Sequence, residues 1–298
     1  YPAVPGWPRS DTRPAHWPPM TYTTNPTLGL PYIHNGFASA RWNFPLAEGT
    51  SLARPGGLGQ PVTVSYSFQS DLPYYAWGEP MIEGPVTKFS AEYQAATKAA
   101  LAQIASVANV TFVQEAAGAQ GQMVFRHSWQ EYTSGFAYAP AYSYYETGGK
   151  VGGPIVEQDY AGDVWIDNIN LYSGAELKPG GRGYLVLLHE IGHAMGLQHS
   201  FDDTDGVDPP PYVMARSLDN EAHTVMSYTA APRTQLSVSD PNAYLSAQTL
   251  MPLDIEALQY LYGRNTATRA GATTYKWGTN AEVLQTIWDG GGIDTIDA

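Results

Sequence analysis

Two hydrophobic periods alternate along the chain and predict a domain that contains both strands and helices. Between residues 60 and 68, apolar residues occupy every second position from Val62 to Phe68, which is the period of a half-buried strand. From Ser90 to Ala108, apolar residues recur every three or four positions, which predicts an amphipathic helix. Ser90 is suited to cap this helix, and Glu92 lies in its positive first turn.

Shorter segments complete the predicted architecture. Strands are predicted at 110–113, 123–127, 136–145 and 163–167, and further helices at 184–195 and 253–262. Gly263 follows the last helix, as is common at helix ends. This order of elements predicts an α/β or α+β domain with a mixed, twisted sheet and two long helices, at 90–108 and 184–195.

Both ends of the chain differ in composition from its centre. Residues 1–30 contain seven prolines and show no sustained period, which predicts an extended arm. From Arg264 the sequence shifts to threonine, glycine and aspartate with short strand-like pieces. We therefore expect an arm over 1–30, a main domain over 31–262 and a separate C-terminal segment over 263–298.

Composition removes several classes of function. The 298 residues include no cysteine, which excludes disulfides, a thiol nucleophile and a cysteine-ligated metal. The net charge of −13 argues against nucleic acid as a partner, because phosphate binding requires a basic surface. No apolar stretch reaches the ~18–20 residues of a transmembrane helix. The first residues lack the pattern of a signal peptide, which leaves a removed leader, a signal elsewhere or retention inside the cell.

The segment 189–199 reads HEIGHAMGLQH and carries the strongest chemical signal. His189 and His193 are four residues apart in a helical pattern, so both imidazoles project from one face and can share a tetrahedral zinc ion. His199 lies too far along a straight helix to reach the same ion. Gly196 resolves this, because it permits a left-handed turn that ends the helix and returns His199 to the site.

Three neutral imidazoles leave one zinc position open for a water molecule whose pKa the ion lowers towards ~7. Glu190, next to the first histidine, is placed to take the proton of that water rather than to bind metal. A bare HExxH pattern in an arbitrary protein is a chance match about as often as it is a metal site. The additional glycine and third histidine, on a helix with an opposite apolar stripe, make a catalytic zinc site the preferred interpretation.

This pattern, HExxHxxGxxH, resembles the signature of the metzincin metallopeptidases, which also have a methionine turn downstream. The triplet Met226-Ser227-Tyr228 fits that turn, 27 residues after His199. The resemblance implies that Met226 forms a hydrophobic floor beneath the imidazoles. It also implies that Tyr228 is a displaceable zinc ligand whose phenol can bind the oxyanion formed during hydrolysis.

Within the metzincins, the Met-Ser-Tyr turn is similar to that of the serralysins, bacterial secreted zinc proteases. Further similar segments extend the resemblance over about residues 31–298. Ser200 departs from it, since serralysins usually have proline there and matrixins have serine. Matrixins lack the tyrosine of the turn, however, and their structural-zinc and calcium loop has no counterpart between 140 and 180. A matrixin-like endopeptidase therefore remains an alternative.

By the same resemblance, one strand segment would bind substrate: Phe136, Ala137, Tyr138 and Ala139. They align with the edge strand above the active-site helix, where an extended peptide can add as a further strand. A strand that merely packs its aromatic residues is an equally good interpretation of the sequence.

The C-terminal segment resembles the entry to the calcium-binding β-roll of serralysins. The implied calcium ligands are carbonyls of Arg269, Gly271, Thr273 and Gly291 with carboxylates of Asp289 and Asp294. Ala272 replaces an acidic side chain that is often found there. The glycine-rich repeats of the full roll are absent, and we expect that the chain is truncated before them.

The sequence thus predicts a secreted, extracellular bacterial zinc endopeptidase with structural Ca²⁺, exported by a C-terminal signal outside this chain. Its expected partners are protein or peptide substrates and a proteinaceous inhibitor, with no nucleic acid and no membrane span, and the chain is expected to be a monomer. A second alternative is a catalytically decayed, calcium-binding surface or adhesion module. Such decayed proteins usually lose the base or a ligand, whereas every chemical position is present here.

Overall fold

A computed structural model of the chain describes residues 41–44, 57–78, 82–131, 133–201, 217–236, 244–279 and 281–297. The predicted arm over 1–30 lies outside these residues. The strands are β1 (Val62–Phe68), β2 (Glu83–Thr87), β3 (Val110–Gln114), β4 (Met123–Trp129), β5 (Gly135–Ala137), β6 (Tyr142–Thr147), β7 (Lys150–Glu157), β8 (Val164–Asp167), β9 (Thr274–Lys276) and β10 (Thr295–Asp297). The helices are α1 (Ala91–Val107), α2 (Arg182–Ala194) and α3 (Pro252–Tyr262).

The main sheet has the strand order β3-β1-β4-β8-β5, and β2 pairs with β4 beside this path. The neighbours β3, β1, β4 and β8 run parallel, whereas β5 is antiparallel to β8 and lies at the edge. The sheet is therefore mixed, as predicted. The central strands β4 and β8 are almost wholly buried, because one face packs with the helices in the main core and the other, which carries Trp165, is covered by a smaller cluster around Tyr138.

The two long predicted helices are present and pack against each other. In α1 the buried face contains Tyr93, Ala100 and Ile104, at the spacing that predicted it. The hydroxyl of Ser90 accepts a hydrogen bond from the backbone N–H of Tyr93, which confirms Ser90 as the N-cap. In α2 almost every side chain is buried, so this helix lies inside the domain.

The single strand predicted over 136–145 is wrong. The chain instead forms β5, which ends at Ala137, and β6, which begins at Tyr142 and pairs with β7 in a separate hairpin. Pro140 lies between them, and a proline has no N–H to donate to a strand ladder. Of the four predicted substrate-strand residues, Phe136 and Ala137 are in β5, while Tyr138 and Ala139 follow its end.

Two distant residues hold the C-terminal end of α2. The indole Nε1 of Trp42 donates to the carbonyl of Ala194 at 2.8 Å, and the hydroxyl of Tyr262 donates to the carbonyl of Met195 at 2.8 Å. These carbonyls belong to the last turn, where a helix has no internal donors for them. The end of α2, and with it the turn that follows, is thereby attached to α3 and to residues 41–44.

After α3 the chain enters the segment predicted to begin a second domain. Gly263 has φ 82°, in the left-handed region that suits a residue after a helix. The short strands β9 and β10 then pair in parallel, from Thr274 opposite Thr295 to Lys276 opposite Asp297. The proposed boundary near residue 263 stays a prediction.

Candidate metal centre

Three histidines bring their ring nitrogens together beside α2. Nε2 of His189 lies 3.1 Å from Nε2 of His193 and 3.1 Å from Nε2 of His199, and the last two are 3.0 Å apart. His189 is buried and the other two are half-buried. Among the described residues, these histidines are the one group of three or more potential ligands whose donor atoms lie close enough together to bind a single metal ion.

Hydrogen bonds at Nδ1 of two of these histidines determine which ring nitrogen can bind a metal. Nδ1 of His189 lies 2.8 Å from the carbonyl oxygen of Val225, and Nδ1 of His193 lies 2.9 Å from that of Leu197. A carbonyl oxygen only accepts, so each Nδ1 carries the proton and each Nε2 presents a lone pair. Burial, together with the other two imidazoles, lowers the pKa of His189 well below its usual range, which keeps it neutral.

The donor set fits zinc. Neutral imidazoles are preferred zinc ligands, and three nitrogens this close can lie ~2.0–2.1 Å from one ion. The backbone carbonyls on Nδ1 are the outer partners that usually orient metal-binding histidines. Lone pairs that face one another repel unless a cation lies between them, so the arrangement itself favours a bound metal.

The turn after α2 is built as the spacing predicted. Gly196 has φ 95°, a left-handed conformation that residues with a Cβ rarely adopt. The N–H of Gly196 donates to the carbonyl of His193, and that of Leu197 donates to the carbonyl of Gly192. These bonds end the helix as in a Schellman motif and bring His199 alongside the other two histidines.

The segment 225–228 lies against this cluster. Met226 is fully buried, and a Cβ built on Gly192 would lie 2.7 Å from its sulfur, so Met226 packs directly against α2. The phenol oxygen of Tyr228 lies 2.7 Å from Nε2 of His199. The structure therefore brings both residues of the predicted methionine turn to the histidines, while their roles remain predictions.

Glu190 is buried between α2 and the edge strand β5. A Cβ built on Gly135 would lie 3.1 Å from Cγ of Glu190, so the backbone of β5 passes close to this side chain. Burial raises the pKa of the Glu190 carboxyl to about 8. Its Oε1 is buried and has no hydrogen-bond partner among the described residues.

The outer side of β5 faces no other strand of the described chain. Phe136 is opposite Trp165 in β8, and the N–H of Tyr138 donates to the carbonyl of Asp163. Backbone groups point alternately to the two sides of a strand, so those of Gly135 and Ala137 point to the open side. The sheet edge and Glu190 are therefore adjacent, as a site for an extended chain requires.

The residues predicted to bind calcium lie near one another in the C-terminal segment. The N–H of Thr273 donates to Oδ1 of Asp294, its hydroxyl donates to the carbonyl of Gly271, and the N–H of Gly291 donates to Oδ1 of Asp289. The hydroxyl of Tyr275 donates to the other carboxylate oxygen of Asp289. Arg269, the remaining predicted ligand, has φ 52° and its guanidinium lies over the ring of Tyr275.

Sequence reasoning missed Asp254, which is fully buried at the start of α3. Its carboxylate accepts from the hydroxyl of Thr224 at 2.5 Å and from the N–H groups of Val225 and Met251 at 2.9 and 2.8 Å. Burial raises its pKa to about 6, although the three donors oppose the shift. An acidic residue two positions after Pro252 was visible in the sequence, but only as a residue of the first helical turn.

A family model described as Matrixin (Peptidase_M10) matches residues 83–220. This segment includes the three histidines and Glu190 and ends before Met226. Among the described residues, no helix is both long enough and apolar enough to span a bilayer.

Several curated proteins are similar to most of the chain. Metallopeptidase AprA of Pseudomonas marginalis is 30% identical over 266 residues, 85% of this chain and 53% of the relative. Metalloprotease AprA of Pseudomonas entomophila (strain L48) is 32% identical over 254 residues, 79% of this chain and 49% of the relative. Serralysin of Proteus mirabilis is 28% identical over 261 residues, 80% of this chain and 50% of the relative. The chain thus spans about half the length of these curated relatives.

Proposed function

Because the chain belongs to the metzincin metallopeptidases of the serralysin type, we propose that residues 31–262 are a zinc endopeptidase domain that hydrolyses peptide bonds in proteins. One observation carries the proposal. Nε2 atoms of three histidines lie 3.0–3.1 Å apart, and Glu190 is on the same helix beside an open sheet edge. A metal-binding module would need the histidines, but it would not need a buried carboxylate without a hydrogen-bond partner in the residue that follows His189.

His189, His193 and His199 would hold the zinc ion. When bound, zinc supplies a Lewis acid that polarises a carbonyl and lowers the pKa of a coordinated water towards ~7. The chain's own contribution begins with Nδ1 of His189 and of His193, which bind backbone carbonyls and so keep each Nε2 directed at the centre. The ligand geometry is therefore set before substrate arrives.

Glu190 would move the proton. Its carboxylate accepts a proton from the attacking water and passes it to the nitrogen of the departing amine, so one group acts as base and then as acid. Burial favours the protonated form of this carboxyl, whereas the charge of a bound zinc ion would favour the carboxylate form that acts as base. The phenol O–H of Tyr228 would donate a hydrogen bond to the oxyanion that develops on the substrate carbonyl.

Substrate would bind as an extra strand on β5. The outward backbone groups of Ala137 would pair with an extended peptide, whereas the N–H and carbonyl of Gly135 bond to the hydroxyl of Thr133. The backbone of β5 at Gly135 passes close to Glu190. This pairing uses main-chain atoms, so it would align many sequences over the centre without selecting a particular side chain. Protein or peptide substrates follow from this geometry.

The test compares wild type with Glu190→Ala and a matched control, Glu131→Gln, whose side chain is exposed. We expect all three to bind one zinc ion per chain, and we expect Glu190→Ala alone to lose casein hydrolysis by at least ~10²–10⁴-fold, the contribution of a positioned base. Full activity in Glu190→Ala would refute the mechanism. Zinc binding without hydrolysis in wild type would favour the decayed binding module, and no phenolate absorption band from Tyr228 in the copper-substituted protein would favour a matrixin-like enzyme.

We also propose that residues 263–298 begin a calcium-binding domain. The backbone carbonyl of Gly271 and the carboxylates of Asp289 and Asp294 lie within one hydrogen-bonded segment, which supports a shared hard-cation site. Calcium should protect this segment from proteolysis in wild type and should do so much less in Asp289→Asn/Asp294→Asn. Equal protection of both proteins would remove these residues from the site.

Secretion, a monomeric state and a proteinaceous inhibitor are further proposals that rest on the similarity to serralysins. Secretion would be tested by recovery of the protein from the culture medium of the bacterium that produces it. Sedimentation would test the monomeric state, and a second copy bound at micromolar concentration would contradict it.

A further inference from the structure

One carboxylate oxygen connects the loop of the third histidine with the methionine turn. Oδ1 of Asp219 accepts a hydrogen bond from the hydroxyl of Ser200 at 2.7 Å and another from the hydroxyl of Ser227 at 2.6 Å. Ser200 directly follows His199, and Ser227 directly precedes Tyr228. We call these two bonds to one oxygen the Asp219 bridge.

Both serine hydroxyls of the bridge are buried and depend on Asp219 as their hydrogen-bond acceptor. Ser200 is fully buried and Ser227 is 3% exposed, so neither hydroxyl can replace Asp219 with bulk water. Hydrogen bonds from hydroxyls to a carboxylate are charge-assisted, and their lengths here are those of strong bonds. The hydroxyl of Ser227 also accepts the N–H of Thr229 at 3.1 Å, which ties the residue after Tyr228 to the same point.

The bridge therefore spans the two residues that meet at the candidate zinc centre. The phenol oxygen of Tyr228 lies 2.7 Å from Nε2 of His199, and the two ring centroids are 4.7 Å apart. Each ring leaves the backbone one residue away from a serine of the bridge. A shared acceptor oxygen thus restrains the backbone on both sides of this contact.

We propose that Asp219 is a positioning residue that sets the position of the Tyr228 phenol relative to His199. The inference rests on the zinc peptidase function proposed above and extends it to a residue that touches neither metal nor substrate. Ser200 is the position at which this chain departs from the proline usual in serralysins, and a proline has no hydroxyl to donate.

The test measures the tyrosine–metal interaction directly. Copper-substituted protein should show the phenolate charge-transfer band of Tyr228, and Asp219→Ala should lose most of it. We expect the turnover number of zinc-loaded Asp219→Ala to fall about tenfold, with KM within about twofold, since only a positioning contact is removed. Asp219→Asn keeps an acceptor oxygen and should retain both band and turnover. Asp159→Ala removes a carboxylate that is exposed to solvent and is the matched control.

The single serine variants keep the test decisive if Asp219→Ala folds poorly. Ser200→Ala and Ser227→Ala each remove one bond, and their effects on the band should be non-additive because both act through the same oxygen. Additive effects, or a band unchanged in Asp219→Ala, would overturn the bridge while leaving the peptidase function intact. A wild-type protein that binds neither zinc nor copper would refute the peptidase function and this inference with it.

Discussion

Nδ1 of His189 lies 2.8 Å from the carbonyl oxygen of Val225, which is 36 residues later in the chain. The N–H of Val225 in turn donates to Asp254, at 2.9 Å, and Asp254 belongs to a different helix. The orientation of the first histidine is therefore decided by a peptide unit that α3 holds in place. Outer hydrogen-bond partners of this kind contribute to metal affinity although they do not touch the metal.

Asp254→Asn should weaken zinc binding by about 10–100-fold, as loss of an outer partner commonly does. Asp254 accepts hydrogen bonds with both of its oxygens, whereas the asparagine amide has one accepting oxygen and a nitrogen that only donates. Competition with a chelator would measure the affinity. Glu256→Gln, an exposed change on the same helix, is the control, and equal affinity in both variants would contradict the prediction.

Tyr228→Phe should lower the turnover number by about 10²-fold and leave KM within about twofold, because the phenol O–H would act on the oxyanion and not on bound substrate. Steady-state kinetics on a fluorogenic peptide would separate the two constants. Tyr74→Phe removes the hydroxyl of a side chain that is 84% exposed and should change neither. An unchanged turnover number in Tyr228→Phe would remove Tyr228 from the mechanism.

Gly135→Ala should lower both stability and activity. The added Cβ would lie 2.8 Å from Cδ1 of Ile166, 3.1 Å from the carbonyl oxygen of Trp165 and 3.1 Å from Cγ of Glu190. Overpacking of this kind costs about 1–3 kcal/mol, and here it would also displace the proposed base. The control is Gly278→Ala, where the new Cβ meets nothing within 4 Å.

Thermal unfolding and peptide hydrolysis should be measured on both of these glycine variants. A Gly135→Ala protein as stable and as active as Gly278→Ala would show that β5 does not lie against Glu190 as described.

Glu221 should give the fold a measurable pH dependence. Its side chain is buried, Arg182 lies 3.8 Å away, and burial raises its pKa to about 7. An unfolded glutamate has a pKa of about 4.3, so the folded state binds the proton more readily. The stability that Glu221 contributes is therefore complete below about pH 4 and is lost as pH rises through 7.

Urea unfolding of zinc-saturated wild type and Glu221→Gln at pH 5 and pH 8 would test this. From pH 5 to pH 8, wild type should lose about 2–3 kcal/mol of unfolding free energy relative to the variant. Comparison with the variant cancels the other titrating groups. A gap between the two proteins that stays constant with pH would contradict the raised pKa.

Local patterns predicted both long helices and the face that carries the first two histidines. The buried face of α1 follows directly from the helical period, and His189 and His193 share a face because they are one turn apart. Gly196 predicted the left-handed turn, since few other residues adopt φ 95°. The strand predicted over 136–145 failed for a local reason as well, because Pro140 has no N–H to donate and interrupts the ladder.

The sequence by itself determined which residues can form helix, strand and metal ligand, because these depend on spacings of a few residues. Only the tertiary structure decided that Asp254 supports His189 through Val225, that Asp219 joins Ser200 to Ser227, and that Gly135 lies against Glu190. Each of these contacts joins residues on separate elements or loops, whose mutual distance has no signature in either segment alone. Packing of the helices on the sheet brings them together, and burial then makes each unpaired polar group costly enough to require its partner.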